Sequence, residues 1–274
     1  MAHDMRDSVA GFVNEPANGF AVPPPPRALV AKPPPAPVPP PVAHWAHTLA
    51  LFGVLLLTTF LGHSRGAALA TVDTPHIPRY ITSITLEILL LGSVIAGIYH
   101  RGAFFAQAWR SRRYNGWTNV GLGLALYLAG NVAIIAVSLA LYKTPLQHQR
   151  NTDVVMALLP HTVNQFLLWF CVSLSAGVCE EFIFRGYLLQ QLTAWFRRPV
   201  LAIVVAGLLF GCVHLYEGLG AILPLAALGI VYGFAARWLK GDLRPLMIAH
   251  TLQDFLVALF ALLVPVLQKY APHR

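Results

Sequence analysis

The chain has 274 residues, 57% of them hydrophobic and only 11% charged, with a mean hydropathy of +0.62, a balance that excludes a soluble globular enzyme and marks an integral membrane protein. The net charge of +8 does not point to nucleic acid, because the Lys and Arg residues fall between apolar segments instead of along one stripe. That placement is the mark of membrane topology.

Residues 1–43 carry twelve prolines, clustered at 23–26, 33–35 and 39–41, and cannot form a core. They are expected to be a disordered, extended Pro-rich tail, with residues 44–274 forming a transmembrane helical domain. The tail has no apolar run, so no cleavable signal peptide is expected. A flexible arm is the plain reading of it, and a ligand for an SH3-like partner the more specific one.

Seven apolar stretches follow, at about 45–62, 80–99, 117–142, 163–192, 200–216, 219–238 and 245–267, each near the ~20 residues that a hydrocarbon core requires. All should be helices, since only intrahelical bonding satisfies their backbone in lipid. The expected fold is all-α, a polytopic membrane helical bundle of about seven spans. Twelve Lys and Arg residues lie in the tail and in the second, fourth and sixth connections, against six on the other side, so the protein is expected in the cell membrane as a multi-pass chain with its N-terminus cytoplasmic and its C-terminus external.

Cys171, Cys179 and Cys212 have no metal or redox spacing and are expected to be buried packing residues. Gly207 with Gly211 and Gly229 with Gly233 have the spacing of close helix packing, and Asn131 suits a hydrogen bond between helices. Glu87 is a lone intramembrane carboxylate that either serves a proton path or pairs with other polar groups.

The densest polar signal lies within residues 176–185, where Glu180, Glu181 and Arg185 interrupt an apolar span. Left unpaired in lipid, these three charges would cost roughly 8 to 10 kcal/mol. Glu181 and Arg185 are four apart and share a helix face, whereas Glu180 lies about 100° away and lacks that partner. Two more clusters follow in apolar helices: Phe210 with His214, and His250 with Asp254. A hairpin turning near Arg198 and Pro199 would bring Glu180 and His214 within ~5 Å of the same height. His250 follows Arg244 closely, so the site is expected nearer the face of that turn, with a cavity opening there; the stretch around Gln190 and Gln191 suits a projecting hairpin.

Glu180-Glu181-x-x-x-Arg185, then Phe210-x-x-x-His214, then His250-x-x-x-Asp254 resembles the three-motif signature of the CPBP family, the CAAX-protease and bacteriocin-processing intramembrane proteases, over about residues 160–260. The resemblance implies an intramembrane endopeptidase hydrolysing a membrane-associated peptide or protein. It implies Glu180 as the general base that activates water and His214 as a holder of that water. His250 with residue 254 would form the oxyanion site, and Glu181 and Arg185 would support the geometry. One residue departs from the family pattern: position 254 is commonly Asn, which donates an N–H, whereas an ionised Asp only accepts. Either Asp254 is protonated and donates, or it orients His250.

Glu180, His214 and His250 also make up a donor set of the kind that holds zinc. No His-Glu-x-x-His is present, and a metal-free mechanism with no cofactor is the expectation taken. The expected partners are membrane lipid and a membrane-associated peptide or protein substrate. The competing expectation is a non-proteolytic membrane scaffold or bacteriocin-immunity protein retaining the fold, and a third is a proton-relay transporter using Glu87, Glu180 and the histidines.

Overall fold

The computed structural model describes residues 40–71, 76–101 and 114–270, with the side chains of 65–71 and 264–270 excepted. Residues 1–39 of the Pro-rich tail lie outside the described residues, as do Arg110, Arg112, Arg113 and Arg274 from the charge count.

The described elements are helical throughout: α1 (Trp45–Thr71), α2 (His76–His100), α3 (Gly116–Leu141), α4 (Thr152–Leu158), α5 (Val163–Glu181), a π-helical segment (Phe182–Leu188), α6 (Leu189–Phe196), α7 (Pro199–Val213), α8 (Leu219–Trp238) and α9 (Arg244–Tyr270). Six stretches are long and apolar enough to cross a membrane, with α5, the π segment and α6 forming one of them, Val163–Phe196. The seventh expected span is the shorter apolar α7, whose 15 residues rise only ~22 Å. It stops early because His214 caps it and Leu215–Glu217 tightens into a 3₁₀ turn.

Burial separates the interior helices from those facing lipid. More than half of the α8 window is buried but only 6% of the α3 window, whose Trp117, Leu128 and Leu139 point outward. The helix pair α7 and α8 meets at the glycines. A Cβ on Gly207 would lie 2.9 Å from the Ile230 nitrogen, one on Gly229 would lie 2.9 Å from the Gly207 Cα, and one on Gly211 would strike the Ile222 carbonyl. Small residues admit backbone contact here, and dispersion gains from that contact hold helices together in lipid.

Polar groups inside the bundle find partners on other helices. Asn131 and Gln253 exchange amide hydrogen bonds of 3.0 and 3.2 Å, joining α3 to α9. Pro224 has no N–H, which frees the Gly220 carbonyl one turn back, and Arg150 Nε donates to it at 3.3 Å. Gln191 does not face outward from a projecting hairpin. It is fully buried, its Oε1 accepting from the Val42 and Ala43 amides while Nε2 donates to the Ala43 carbonyl, so it clasps the chain entering α1. Of the cysteines, Cys179 is buried, Cys212 partly so, and Cys171 is exposed, so the packing role holds fully only for Cys179.

Candidate active site

The turn between α6 and α7 is made by Arg197 in the left-handed region (φ 53°), followed by extended Arg198 and by Pro199, whose missing N–H suits a first helical position. The helices on either side run antiparallel, which carries Glu180 and His214 to one level. A third helix joins them through Gly177. A Cβ there would strike Thr251 Oγ1 and lie 2.8 Å from the Met247 carbonyl oxygen, so α5 and α9 touch backbone to backbone one turn before Glu180 and beside His250. Gly177→Val is expected to cost about 1–3 kcal/mol by overpacking this crossing, read as a lower thermal midpoint of the purified protein.

Glu180, His214, His250 and Asp254 line one cavity of about 490 Å³, while Glu181 and Arg185 stand behind its wall. The carboxylates differ accordingly. Glu181 is fully buried, whereas the Glu180 and Asp254 side chains keep 24% and 32% exposure toward the cavity. Glu181 Oε1 accepts from Arg185 Nη1 and from His250 Nδ1, both at 2.8 Å. The guanidinium is further held by the Gly229 carbonyl at 3.3 Å and lies 4.6 Å from the Phe210 ring centroid, so this desolvated ion pair is held through Glu181 Oε1, while Glu181 Oε2 has no hydrogen-bond partner among the described residues.

That bond fixes His250. With Nδ1–H given to Glu181, Nε2 faces Glu180 Oε2 at 3.9 Å and Asp254 Oδ2 at 3.7 Å. His214 is fixed likewise, because its Nδ1 lies 2.8 Å from the Phe210 carbonyl, which can only accept. Its Nε2 is therefore the lone-pair nitrogen of the neutral ring. Glu180 Oε2 is buried and has no hydrogen-bond partner among the described residues. An acceptor oxygen without a donor, on a cavity that also holds two oriented imidazoles, can take a proton from a water placed between them.

Glu87 joins this cavity, accepting from Ser175 Oγ on α5 and, weakly, from Ser83 Oγ at 3.5 Å. Of its two expected roles, pairing with other polar groups is the one the contacts display. The cavity also takes in Arg79, Tyr216 and Glu217, which the motif spacing did not single out; only their polar character beside apolar spans could have flagged them. These residues, with Val155 and Leu159, extend the cavity toward the end of the bundle away from Arg197 and Arg198. The site, expected nearer that turn, thus lies toward the other end, because α7 carries His214 at its far terminus. Among the described residues no group of three or more His, Cys, Asp or Glu side chains is placed to hold a metal ion.

Residues 162–256 match the family model of the type II CAAX prenyl endopeptidase, Rce1-like. This segment is a CPBP-family domain. The CPBP domain takes in all six residues singled out from the motifs and leaves α1 to α4 outside it. The match supports an intramembrane endopeptidase in general terms, a membrane-embedded hydrolase acting on a membrane-associated peptide or protein. No curated protein and no solved structure matches the chain significantly.

Proposed function

We propose that the chain hydrolyses a peptide bond of a membrane-associated substrate with water activated by Glu180. The observation that supports this most is the Glu180 carboxylate itself, whose buried Oε2 lacks a partner on a cavity shared with two imidazoles held at their Nδ1 atoms. Water lies between Glu180 and His214 Nε2 and gives its proton to Glu180 as the oxygen attacks the scissile carbonyl. His250, protonated at both nitrogens, turns Nε2–H to the developing oxyanion while Glu181 holds Nδ1–H. Glu180 then returns the proton to the departing amine, which closes the proton balance.

Asp254 orients His250 across one helical turn and does not itself donate. Asp254→Asn is therefore expected to keep kcat within about tenfold of native, and a loss as deep as that of Glu180→Ala would overturn this role. The mechanism asks for no metal, so cleavage is expected to persist unchanged after exhaustive chelation, checked by elemental analysis of the same sample. The excess of basic residues supports a cytoplasmic N-terminus, and with that orientation the cavity end near Val155 and Glu217 lies toward the external side.

The test compares peptide species in membranes carrying the native protein with membranes carrying Glu180→Ala at equal expression. A peptide processed only by the native form supports the peptidase; identical peptide species in both would overturn it.

A further inference from the structure

The turn that carries His214 is held largely by chain outside the CPBP domain. The last carbonyls of a helix have no intrahelical donor. At the end of α7, the Phe210 carbonyl faces His214 Nδ1 and the Gly211 carbonyl accepts from the His214 amide; the His214 and Leu215 carbonyls accept from the Glu217 and Gly218 amides, which leaves the Val213 carbonyl to a partner outside the turn. Thr59 Oγ1 donates to the Val213 carbonyl at 3.1 Å. His63 Nδ1, one turn further along α1, donates to the Leu215 carbonyl at 3.1 Å. Two side chains on one face of α1 thus grip the carbonyls on either side of His214. Asn151 completes the hold, its Nδ2 donating to the Tyr216 carbonyl and its backbone amide to that of Glu217.

The other end of α1 is tied to the catalytic helix. Gln191 clasps Val42 and Ala43, and the Tyr187 hydroxyl meets Thr48 Oγ1 at 2.8 Å and His47 Nδ1 at 2.9 Å. Tyr187 belongs to the π segment that directly follows Glu181. From Thr48 to Thr59 is eleven residues of continuous helix, ~16 Å of rigid rise. A strut of fixed length therefore connects the segment bearing Glu180 to the turn bearing His214.

We infer that α1 is a working part of the peptidase, with Thr59 and His63 as positioning residues that set where His214 Nε2 stands relative to Glu180. The inference rests on the proposed role of Glu180 and His214. Thr59 is nearly fully buried and its hydroxyl bonds another helix; lipid anchoring alone would need neither that bond nor the one from His63.

The experiment uses the full-length protein in lipid nanodiscs and, as substrate, the peptide left unprocessed by Glu180→Ala. The variants are Thr59→Val, Thr59→Ser and Thr59→Val with His63→Leu. The double variant is expected to lose about 10- to 100-fold in kcat with KM unchanged, since a small displacement of an aligned group costs rates of that order. Thr59→Ser keeps the hydroxyl and is expected to restore most of what Thr59→Val loses. Amide hydrogen exchange is read on the same samples, and residues 211–218 are expected to exchange faster in the double variant with the rest of the chain unchanged. Native kcat in the double variant, beside an inactive Glu180→Ala, would overturn the inference and leave the proposed reaction standing. Equal losses in Thr59→Ser and Thr59→Val, or unchanged exchange at 211–218, would also overturn it. Processing that survives Glu180→Ala would remove the reaction and the inference together.

Discussion

Glu180→Gln is expected to lower kcat by about 10³-fold or more, at unchanged KM, with no fall in thermal stability. Gln has nearly the shape of Glu but cannot take a proton from water, and a positioned general base supplies roughly 10²- to 10⁴-fold. The second half of the expectation comes from the carboxylate's surroundings. Oε2 accepts no hydrogen bond among the described residues, and its approach to His250 Nε2, 3.9 Å, is too long for one. A structural carboxylate would be paired, as Glu181 is through Oε1 with Arg185 and His250, and its neutralisation would destabilise the fold. A neutral amide at 180 breaks no hydrogen bond and sheds a carboxylate's desolvation cost, with only the long 3.9 Å approach to His250 lost. Rates on purified protein and thermal unfolding in the same detergent separate the cases. Full activity in Glu180→Gln, or a joint fall in activity and stability, would sink the general-base role.

The sequence discloses what depends on nearby residues and hides what depends on distant ones. The apolar spans are legible because each must be compatible with lipid along its own length. Glu181 and Arg185 are legible because one helical turn joins them, and the glycine pairs because their spacing repeats on one face. The π segment Phe182–Leu188 has no such signal, since an extra residue in a turn changes neither composition nor hydropathy. Gln191 reads as a surface amide until the Val42 and Ala43 amides, far away in the chain, are placed against it. Glu87 is visible as an anomaly, but Ser175, which answers it, sits on another helix. The direction of the cavity is hidden for the same reason. It follows from α1, α2 and α4 closing over the site, and none of those helices carries a motif residue.

Glu181→Ala is expected to destabilise the fold by about 3–5 kcal/mol, the cost of stranding a buried guanidinium whose carboxylate partner is gone. Gly229 and the Phe210 ring remain to Arg185, but neither carries the opposing charge. That loss alone would not distinguish a carboxylate that merely neutralises Arg185 from one that also aims His250. Glu181→Leu with Arg185→Met does distinguish them. Removing both charges together eliminates the stranded ion, and apolar replacements of a buried pair commonly match or exceed the original stability. The double variant is therefore expected to lose less stability than Glu181→Ala, about the 1–3 kcal/mol that leaving the buried His250 Nδ1–H without an acceptor costs. Its His250 Nδ1–H, however, has lost the Glu181 oxygen at 2.8 Å, so the ring is free to turn and Nε2–H no longer waits where the oxyanion forms. A kcat about 10²-fold or more below native is expected even though the protein is folded, comparable to losing one preorganised oxyanion donor. A double variant both stable and fully active would mean that Glu181 serves Arg185 alone, and His250 would then need another anchor.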